Sequence, residues 1–300
     1  MAGRALLIAN PKSRSGEEAL DAGLKRLRDT GLELLEAVPD GPGGIPELIR
    51  RHRDRVDRVI LGGGDGTLNC AAPALVETGL PLGVLPLGTA NDLARTLMIP
   101  ADLEAACRII GEERLHTIDL GEVNGHYFFN VANIGLGVRV TRALTAEVKQ
   151  RWGVLSYARS VALALRENKA FRARILLDKR KLRVRSIQIA VGNGRFYGGG
   201  MTVAEEAAID DGLLFLYSLK PGPWWRLALL APALKLGPRG QEQDVRLLRG
   251  REIEIRTRKR MEVVADGEPV TQTPARFRVL RGAVKVYVPW EYLSPRQAKP

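Results

Sequence analysis

The densest cluster of residues suited to handling phosphate is Leu61-Gly62-Gly63-Gly64-Asp65-Gly66-Thr67-Leu68-Asn69. Consecutive glycines let backbone N–H groups approach an anion without Cβ interference, and a following helix N-terminus adds donors and a favourable dipole. Thr67 offers a hydroxyl either to a phosphate or to the start of that helix. Asp65 would repel a phosphate unless a cation stood between them, so a magnesium link gives its carboxylate a physical reason. A tight turn with Asp65 as a satisfied cap fits the same residues. The run is neither a GxxxxGK(S/T) loop nor a GxGxxG fingerprint.

Two further loops carry matching chemistry. In Pro86-Leu87-Gly88-Thr89-Ala90-Asn91-Asp92-Leu93, Gly88 permits close approach while Thr89, Asn91 and Asp92 offer polar contacts. Taken alone, Asn91 or Asp92 is better read as a helix cap. Asn10-Pro11-Lys12-Ser13-Arg14-Ser15-Gly16 holds two cations that can balance phosphate charge, or simply sit in water. A single anionic ligand accounts for all three loops, whereas chance capping must explain each separately. Elsewhere, Ala265-Asp266-Gly267-Glu268 sets two carboxylates about a turn, and Asp-Gly is first a turn signal. Asp210-Asp211-Gly212-Leu213 reads as an acidic turn before a strand, and Asp119 as a carboxylate at a strand start.

The elements needed to hold these loops are legible in the spacing of apolar residues. Ala5 to Ala9, Leu32 to Val38, Val56 to Leu61 and Leu82 to Pro86 are short buried runs. Helical patterns at Glu17 to Asp29, Pro46 to His52 and Ala71 to Val76 fall between them. That alternation predicts a parallel sheet covered by helices, and ligands of such sheets sit beyond the carboxyl ends of the strands. After Arg114 the pattern changes. Leu115 to Val123 and Tyr127 to Ile134 form strands joined at Asn124-Gly125, a hairpin signal. Helical stretches follow at Thr141 to Gln150 and Val154 to Glu167, with another at Pro221 to Leu236 weakened by Pro232. Ile253 and Ile255, then Val284, Val286 and Val288, alternate with polar residues as antiparallel strands do. The expected fold is an α/β N-terminal nucleotide-binding domain with a parallel sheet over 1–114. A mostly antiparallel β-rich second domain follows over 115–290, with a return to the first near Val286 to Pro289 left open, and a loose tail over 291–300.

The formal charge of +12, from 46 basic and 34 acidic residues, favours polyanionic partners. With aromatics at 5% and neither zinc-finger spacing nor an RNP-like aromatic run, nucleic acid is the weakest of them. Arg172, Arg174, Lys179, Arg180, Lys181, Arg183 and Arg185 form a dense basic region, and Trp224 and Trp225 precede an apolar segment. Peripheral contact with an anionic membrane fits these residues, and so does a solvated strand face with a buried tryptophan. Cys70 and Cys107 form no CxxC pair, and His52, His116 and His126 are scattered, so neither a disulfide framework nor a zinc site is expected. The apolar stretch Leu227 to Leu234 is too short to cross a bilayer, and the N-terminus reads as a first strand rather than a signal peptide. The expectation is a cytoplasmic protein, peripheral at most at the inner membrane face. Its oligomeric state is left open.

In their order along the chain, NPKSRSG, GGDGTLN, PLGTAND, FFNVANIGLG, GGMTVAEEAAIDDGLL and ADGE resemble the bacterial diacylglycerol and lipid kinase family. The catalytic domain of that family is similar to that of sphingosine kinases. The resemblance runs from Asn10 to about Val288. It implies a nucleotide-binding α/β domain, a larger β-rich domain and an active cleft between them. Asn10, Pro11, Lys12, Ser13 and Arg14, Gly63 to Asn69 (Gly63, Gly64, Asp65, Gly66, Thr67, Leu68, Asn69) and Thr89 would contact or shape an ATP site. Asp65 and Asp119 would organise magnesium and water. Asp211, with the carbonyls of Ala208 and Leu213, would hold a structural magnesium ion. Glu268 would accept the proton of a lipid hydroxyl, with support from Asp266. Cys70 stands where the family often has glutamate, Glu205 replaces a common proline, and a usual threonine is not evident around Val38-Pro39-Asp40. The resemblance implies ATP-dependent phosphorylation of a lipid, with diacylglycerol favoured. NAD kinase, which also uses a GGDGT loop, and a non-catalytic nucleotide or lipid sensor are the alternatives.

Overall fold

The computed structural model describes residues 3–9, 17–138, 169–194, 196–197, 201–202, 208–222 and 245–297. The chain divides into two compact units. One is built on Met1–Leu120 and Arg281–Pro300, the other on Gly121–Tyr197 and Met201–Leu280.

The first unit opens with β1 (Arg4–Ala9), α1 (Glu17–Asp29), β2 (Glu33–Glu36) and α2 (Ile45–His52). It continues with β3 (Arg58–Gly63), α3 (Asp65–Thr78), β4 (Leu82–Pro86), α4 (Asp92–Thr96) and α5 (Leu103–Gly111). All its strand pairings among β1 to β4 are parallel, in the order β2-β1-β3-β4. Every residue of β3 and β4 is buried, as a strand covered on both faces requires. Leu20, Leu24 and Leu27 lie on the buried stripe of α1, which packs on α5, while α2 packs on α3. Asp102 caps α5 by accepting the Ala105 N–H at 2.7 Å. In this order the connections leave β1 in opposite directions, which puts a topological switch point between the carboxyl ends of β1 and β3. Ala9 pairs with Gly62 there. The glycine-rich run therefore sits where open sheets take ligands.

Cys107, on the buried side of α5, is 1% exposed. Burial, reinforced by Asp102 and Glu104, pushes its thiol up to about 12. A protonated, enclosed thiol is a poor nucleophile. A disulfide reagent at neutral pH is therefore expected to label half-buried Cys70 and spare Cys107 until the chain is unfolded in urea. Equal labelling of both in the native protein would contradict this packing.

The second unit takes up the end of β5 (Leu115–Val123), then β6 (His126–Phe128), β7 (Val131–Gly135), β8 (Phe171–Leu177) and β9 (Arg180–Ser186). Next come β10 (Gln188–Gly192), β11 (Phe196–Tyr197), β12 (Met201–Thr202), β13 (Leu214–Leu219) and β14 (Val245–Gly250). After them lie β15 (Glu252–Thr257), β16 (Glu262–Ala265), β17 (Glu268–Gln272) and the first part of β18 (Ala275–Tyr287). One antiparallel sheet runs β14-β13-β10-β7-β16-β17. A second places β15 between β18 and β8, with β9 beyond β8. Ile134, Val191, Leu216 and Val263 of the first sheet share a core with Ile175, Ile253, Ile255 and Phe277 of the second. Burying each side chain of this kind stabilises by about 1.5–3 kcal/mol, which explains why one face of each strand is apolar. The alternation at Ile253 and Ile255 thus reports a sandwich core.

Two expectations change in detail. The strand expected over Tyr127 to Ile134 is broken into β6 and β7 at Phe129-Asn130, for a reason given below. The end of the chain is not all tail, since α6 (Trp290–Gln297) follows β18. The expected helices at Thr141 to Gln150 and Val154 to Glu167 lie outside the described residues, as does most of Pro221 to Leu236, including Trp224 and Trp225. The fold is a mixed α/β domain followed by a largely antiparallel β-rich domain.

Candidate active site

In the first unit, β3 extends through Gly62 and Gly63, so Gly64 alone makes the bend. Helix α3 starts at Asp65, well before the apolar spacing that marks it from Ala71. Its first turn is small and polar, so periodicity under-reads the start. Asp65, Gly66 and Thr67 therefore lie in a helical turn, and the Gly64 N-cap supplies no side-chain hydrogen bond. An uncapped first turn presents N–H donors to whatever anion lies in front of it.

The second glycine loop is docked directly on the first. Leu87 N–H donates to the Gly63 carbonyl at 3.1 Å. A Cβ on Gly88 would lie 2.4 Å from the Gly64 Cα, so the two backbones touch and no side chain fits between them. The Asp65 carboxylate ties the pair together: Oδ1 accepts from Leu93 N–H at 2.9 Å and Oδ2 from Asp92 N–H at 3.0 Å. Asp65 is thus a cap, but of α4 rather than of its own helix. Asn91, in the left-handed region at φ 50, closes the second loop from within. Its Oδ1 accepts from Gly88 N–H at 3.0 Å, and its Nδ2 donates to the Gly88 carbonyl at 2.9 Å.

The other predicted residues of this unit take different positions. Thr67 packs beneath Gly63, where a Cβ would come within 2.5 Å of the threonine Cβ. Leu68 is 1% exposed and belongs to the core, Asn69 is half-buried, and Thr89 is exposed. Asn10, Pro11, Lys12, Ser13 and Arg14 lie outside the described residues. Asp119 is 4% exposed on β5, and its Oδ1 accepts the Gly282 N–H at 2.7 Å.

In the second unit, Asp266 (φ 44) and Gly267 (φ 94) form the turn between β16 and β17. Two consecutive positive φ values suit the right-handed twist of a tight hairpin. The Asp266 carboxylate reaches across to β7. Its Oδ2 accepts from Phe129 N–H at 2.7 Å, and its Oδ1 from Asn130 and Val131 N–H at 3.0 Å each. Three successive amides turned toward one carboxylate cannot continue a strand ladder, which is why β6 and β7 are separate. Asn193, which sequence reasoning missed, grips the same bend, donating from Nδ2 to the Phe129 carbonyl at 3.0 Å. Its only signal in the sequence is the Asn193-Gly194 dipeptide at a strand end, which by itself marks no more than a turn. Glu268 follows the turn opposite Ala265 and is exposed, with no side-chain hydrogen bond or ion pair among the described residues.

Ala208, Asp211 and Leu213 do come together, but through amides. Asp211 Oδ2 accepts from Ala208 N–H at 3.1 Å and Oδ1 from Leu213 N–H at 2.8 Å, closing the loop on itself. Among the described residues no three His, Cys, Asp or Glu side chains gather as a metal cluster, and no helix is long and apolar enough to cross a membrane.

Residues 4–123 match the family described as the diacylglycerol kinase catalytic domain. Residues 130–288 match the YegS C-terminal NAD kinase beta sandwich-like domain. A Pseudomonas aeruginosa protein named "Probable lipid kinase YegS-like" is 32% identical over 289 residues, covering 95% of this chain and 94% of its own. The protein of the same name from Pectobacterium atrosepticum is 35% identical over 294 residues, covering 95% of each chain. A crystal structure of a Bacillus anthracis protein assigned as a diacylglycerol kinase superposes with a TM-score of 0.83 at 26% identity, over 97% of this chain and 96% of that one. With both of its units matched and relatives this similar along nearly its whole length, the chain belongs to the bacterial lipid-kinase family of diacylglycerol kinase and YegS-like proteins.

Proposed function

We propose that the chain transfers the γ-phosphoryl group of ATP to a lipid hydroxyl, with diacylglycerol as the first acceptor. The observation that carries this reading is the pair of docked glycine loops beneath the uncapped start of α3. N–H donors of Asp65, Gly66 and Thr67 would hold phosphate oxygens. Lys12 and Arg14, with Asn10, Pro11 and Ser13, would complete the phosphate contacts from the segment that follows β1 in the sequence, and Gly63, Gly64, Leu68, Asn69 and Thr89 would shape the site.

The residues present fit magnesium in its usual mode. Magnesium keeps several waters and takes one or two carboxylates together with substrate phosphates, so no all-protein cage is needed. The Asp65 carboxylate, held in place by the Asp92 and Leu93 N–H groups, is a hard oxygen donor of the kind magnesium takes, and Asp119 is the second acid we assign to the metal. When bound, the ion would neutralise charge on the phosphates. For the second unit we assign Asp211, with the carbonyls of Ala208 and Leu213, to a structural magnesium ion. The Asp211 oxygens are hard donors suited to it, although the loop is already closed by its own amides.

Glu268 accepts the proton as the lipid hydroxyl attacks phosphorus in line. A loose transition state needs alignment and electrostatics more than a strong base, so an exposed carboxylate suffices. Asp266 acts through the hairpin, holding the turn from which Glu268 projects. Labelled ATP offered with diacylglycerol, a sphingoid base, phosphatidylglycerol and NAD tests the assignment. Label is expected in lipid, with diacylglycerol best. Because the second unit matches a family described by its likeness to NAD kinase, the NAD arm is decisive: labelled NADP without labelled lipid overturns the reading.

Gly66 supplies a second test. A Cβ there would meet nothing within 4 Å, and its φ needs no glycine, so the fold alone does not require the residue. Gly66→Ala is expected to melt like the parent while losing nucleotide affinity at least tenfold, about 1.4 kcal/mol. Gly88→Ala, which drives a Cβ into the Gly64 backbone, is expected to lose stability as well. Unchanged ATP binding in Gly66→Ala would place the phosphates elsewhere.

A further inference from the structure

The outer face of β8, β9 and the end of β15 carries six exposed arginines in a lattice. Across the strands, Arg183 pairs with Arg174 and Arg174 with Arg256. In the next row Arg185 pairs with Arg172, and Arg258 follows Thr257, whose partner is Ala173. The alternate residues Ala173, Ile175 and Ile255 point into the sandwich core, so the six guanidinium groups share the solvent side. They line an open groove of about 760 Å³. Arg256 bonds to Glu254, and the other five have no acidic partner among the described residues.

This arrangement works against the fold. Cross-strand neighbours lie about 4.8 Å apart, and like charges placed directly opposite destabilise a sheet where opposite charges would stabilise it. Protection of an exposed edge explains basic residues on β9 alone, since β9 is the last strand of its sheet. It does not explain Arg172 and Arg174 on the interior strand β8, or Arg256 on β15. A face needed only for solubility is better served by mixed signs. Arginine throughout points to phosphate, which its planar fork binds through two parallel hydrogen bonds.

We infer that this face docks on an anionic lipid surface. Clusters of four to eight basic residues are the usual mark of anionic-lipid binding. A chain of a lipid-kinase family must also meet an acceptor held in a membrane, yet no helix among the described residues spans one. Single-stranded nucleic acid is the poorer fit, because sheets that bind it interleave aromatics for base stacking and this face has none. The inference goes beyond the phosphoryl-transfer reading and stands apart from it, since docking is measured with neither ATP nor acceptor lipid present.

The test is cosedimentation of the full chain with vesicles of phosphatidylcholine alone or mixed with phosphatidylglycerol. Binding is expected only to the mixed vesicles and is expected to weaken with added salt. Neutralising Arg172, Arg174, Arg183 and Arg185 to glutamine should lower it at least tenfold, since each arginine near the surface is worth roughly fivefold. The comparison variant neutralises Arg26, Arg28, Arg51 and Arg53, exposed in the first unit, and should bind as the parent does. Removing like-charge neighbours should hold or raise the melting temperature. If the fourfold variant fails to fold, Arg174→Thr at the centre of the lattice is read instead, with a roughly fivefold loss expected. Equal losses in the lattice and comparison variants would reduce the effect to net charge and overturn the inference. So would lattice-dependent binding to a DNA duplex without vesicle binding.

Discussion

Glu268→Gln is expected to lower lipid phosphorylation by roughly 10²–10⁴-fold, the usual worth of a positioned general base. The change is nearly isosteric and removes only the capacity to take a proton. Glu268 is exposed after the β16–β17 turn and has no side-chain partner among the described residues, so nothing in the fold depends on its charge. The melting temperature should therefore be that of the parent, and ATP affinity should hold because the glycine loops we assign to the phosphates belong to the other unit. Initial rates with labelled ATP, read beside a thermal melt, separate the two effects. Turnover near the parent value would remove Glu268 as the proton acceptor and leave the residue without a role.

That contrast between Glu268 and the aspartates explains what the sequence could and could not reveal. The parallel sheet, the antiparallel character of the second domain and the hairpin at Asn124-Gly125 were legible because each rests on local periodicity or turn chemistry, which a linear reading detects. The packing of the second domain's strands as two sheets over one core was not. The glycine-rich bends after β3 and β4 were legible because small residues at a strand-to-helix junction have few other uses, and the two backbones do touch there. The duties of the acids were not. Asp65 caps α4, Asp119 holds Gly282, Asp266 holds Phe129 to Val131, and Asp211 closes its own loop. Three of these four tasks join segments far apart in the chain, so no spacing rule predicts them. Each was read as a chemical group, and each proves also to be an anchor for backbone amides. The two roles are compatible, because a carboxylate that fixes a loop also fixes its own direction. The same distance effect hid the break between β6 and β7, whose cause lies more than 130 residues further along the chain. Leu68 shows the opposite case: its place inside a chemical motif suggested a ligand contact, while its side chain fills the core.

Asp266→Asn should cost about 1.5–3 kcal/mol of stability, the worth of a hydrogen bond to a charged group. Asparagine tolerates the left-handed backbone at this turn, so the substitution tests the carboxylate rather than the conformation. Its amide offers one oxygen where the aspartate offered two. Either Phe129 N–H, or both Asn130 and Val131 N–H, must then face an NH₂ group. The bend between β6 and β7 should loosen, and Glu268, two residues beyond Asp266, should lose its fixed direction. Turnover should fall with stability, and a double-mutant cycle distinguishes the reasons. If Asp266 acts only by positioning Glu268, adding Asp266→Asn to Glu268→Gln lowers the rate little further, whereas independent roles would multiply. Asp266→Ala should be worse than Asp266→Asn in stability, because alanine loses every amide partner and resists positive φ. A variant as stable and active as the parent would mean that this carboxylate does not hold the hairpin, and that Glu268 owes its position to something else.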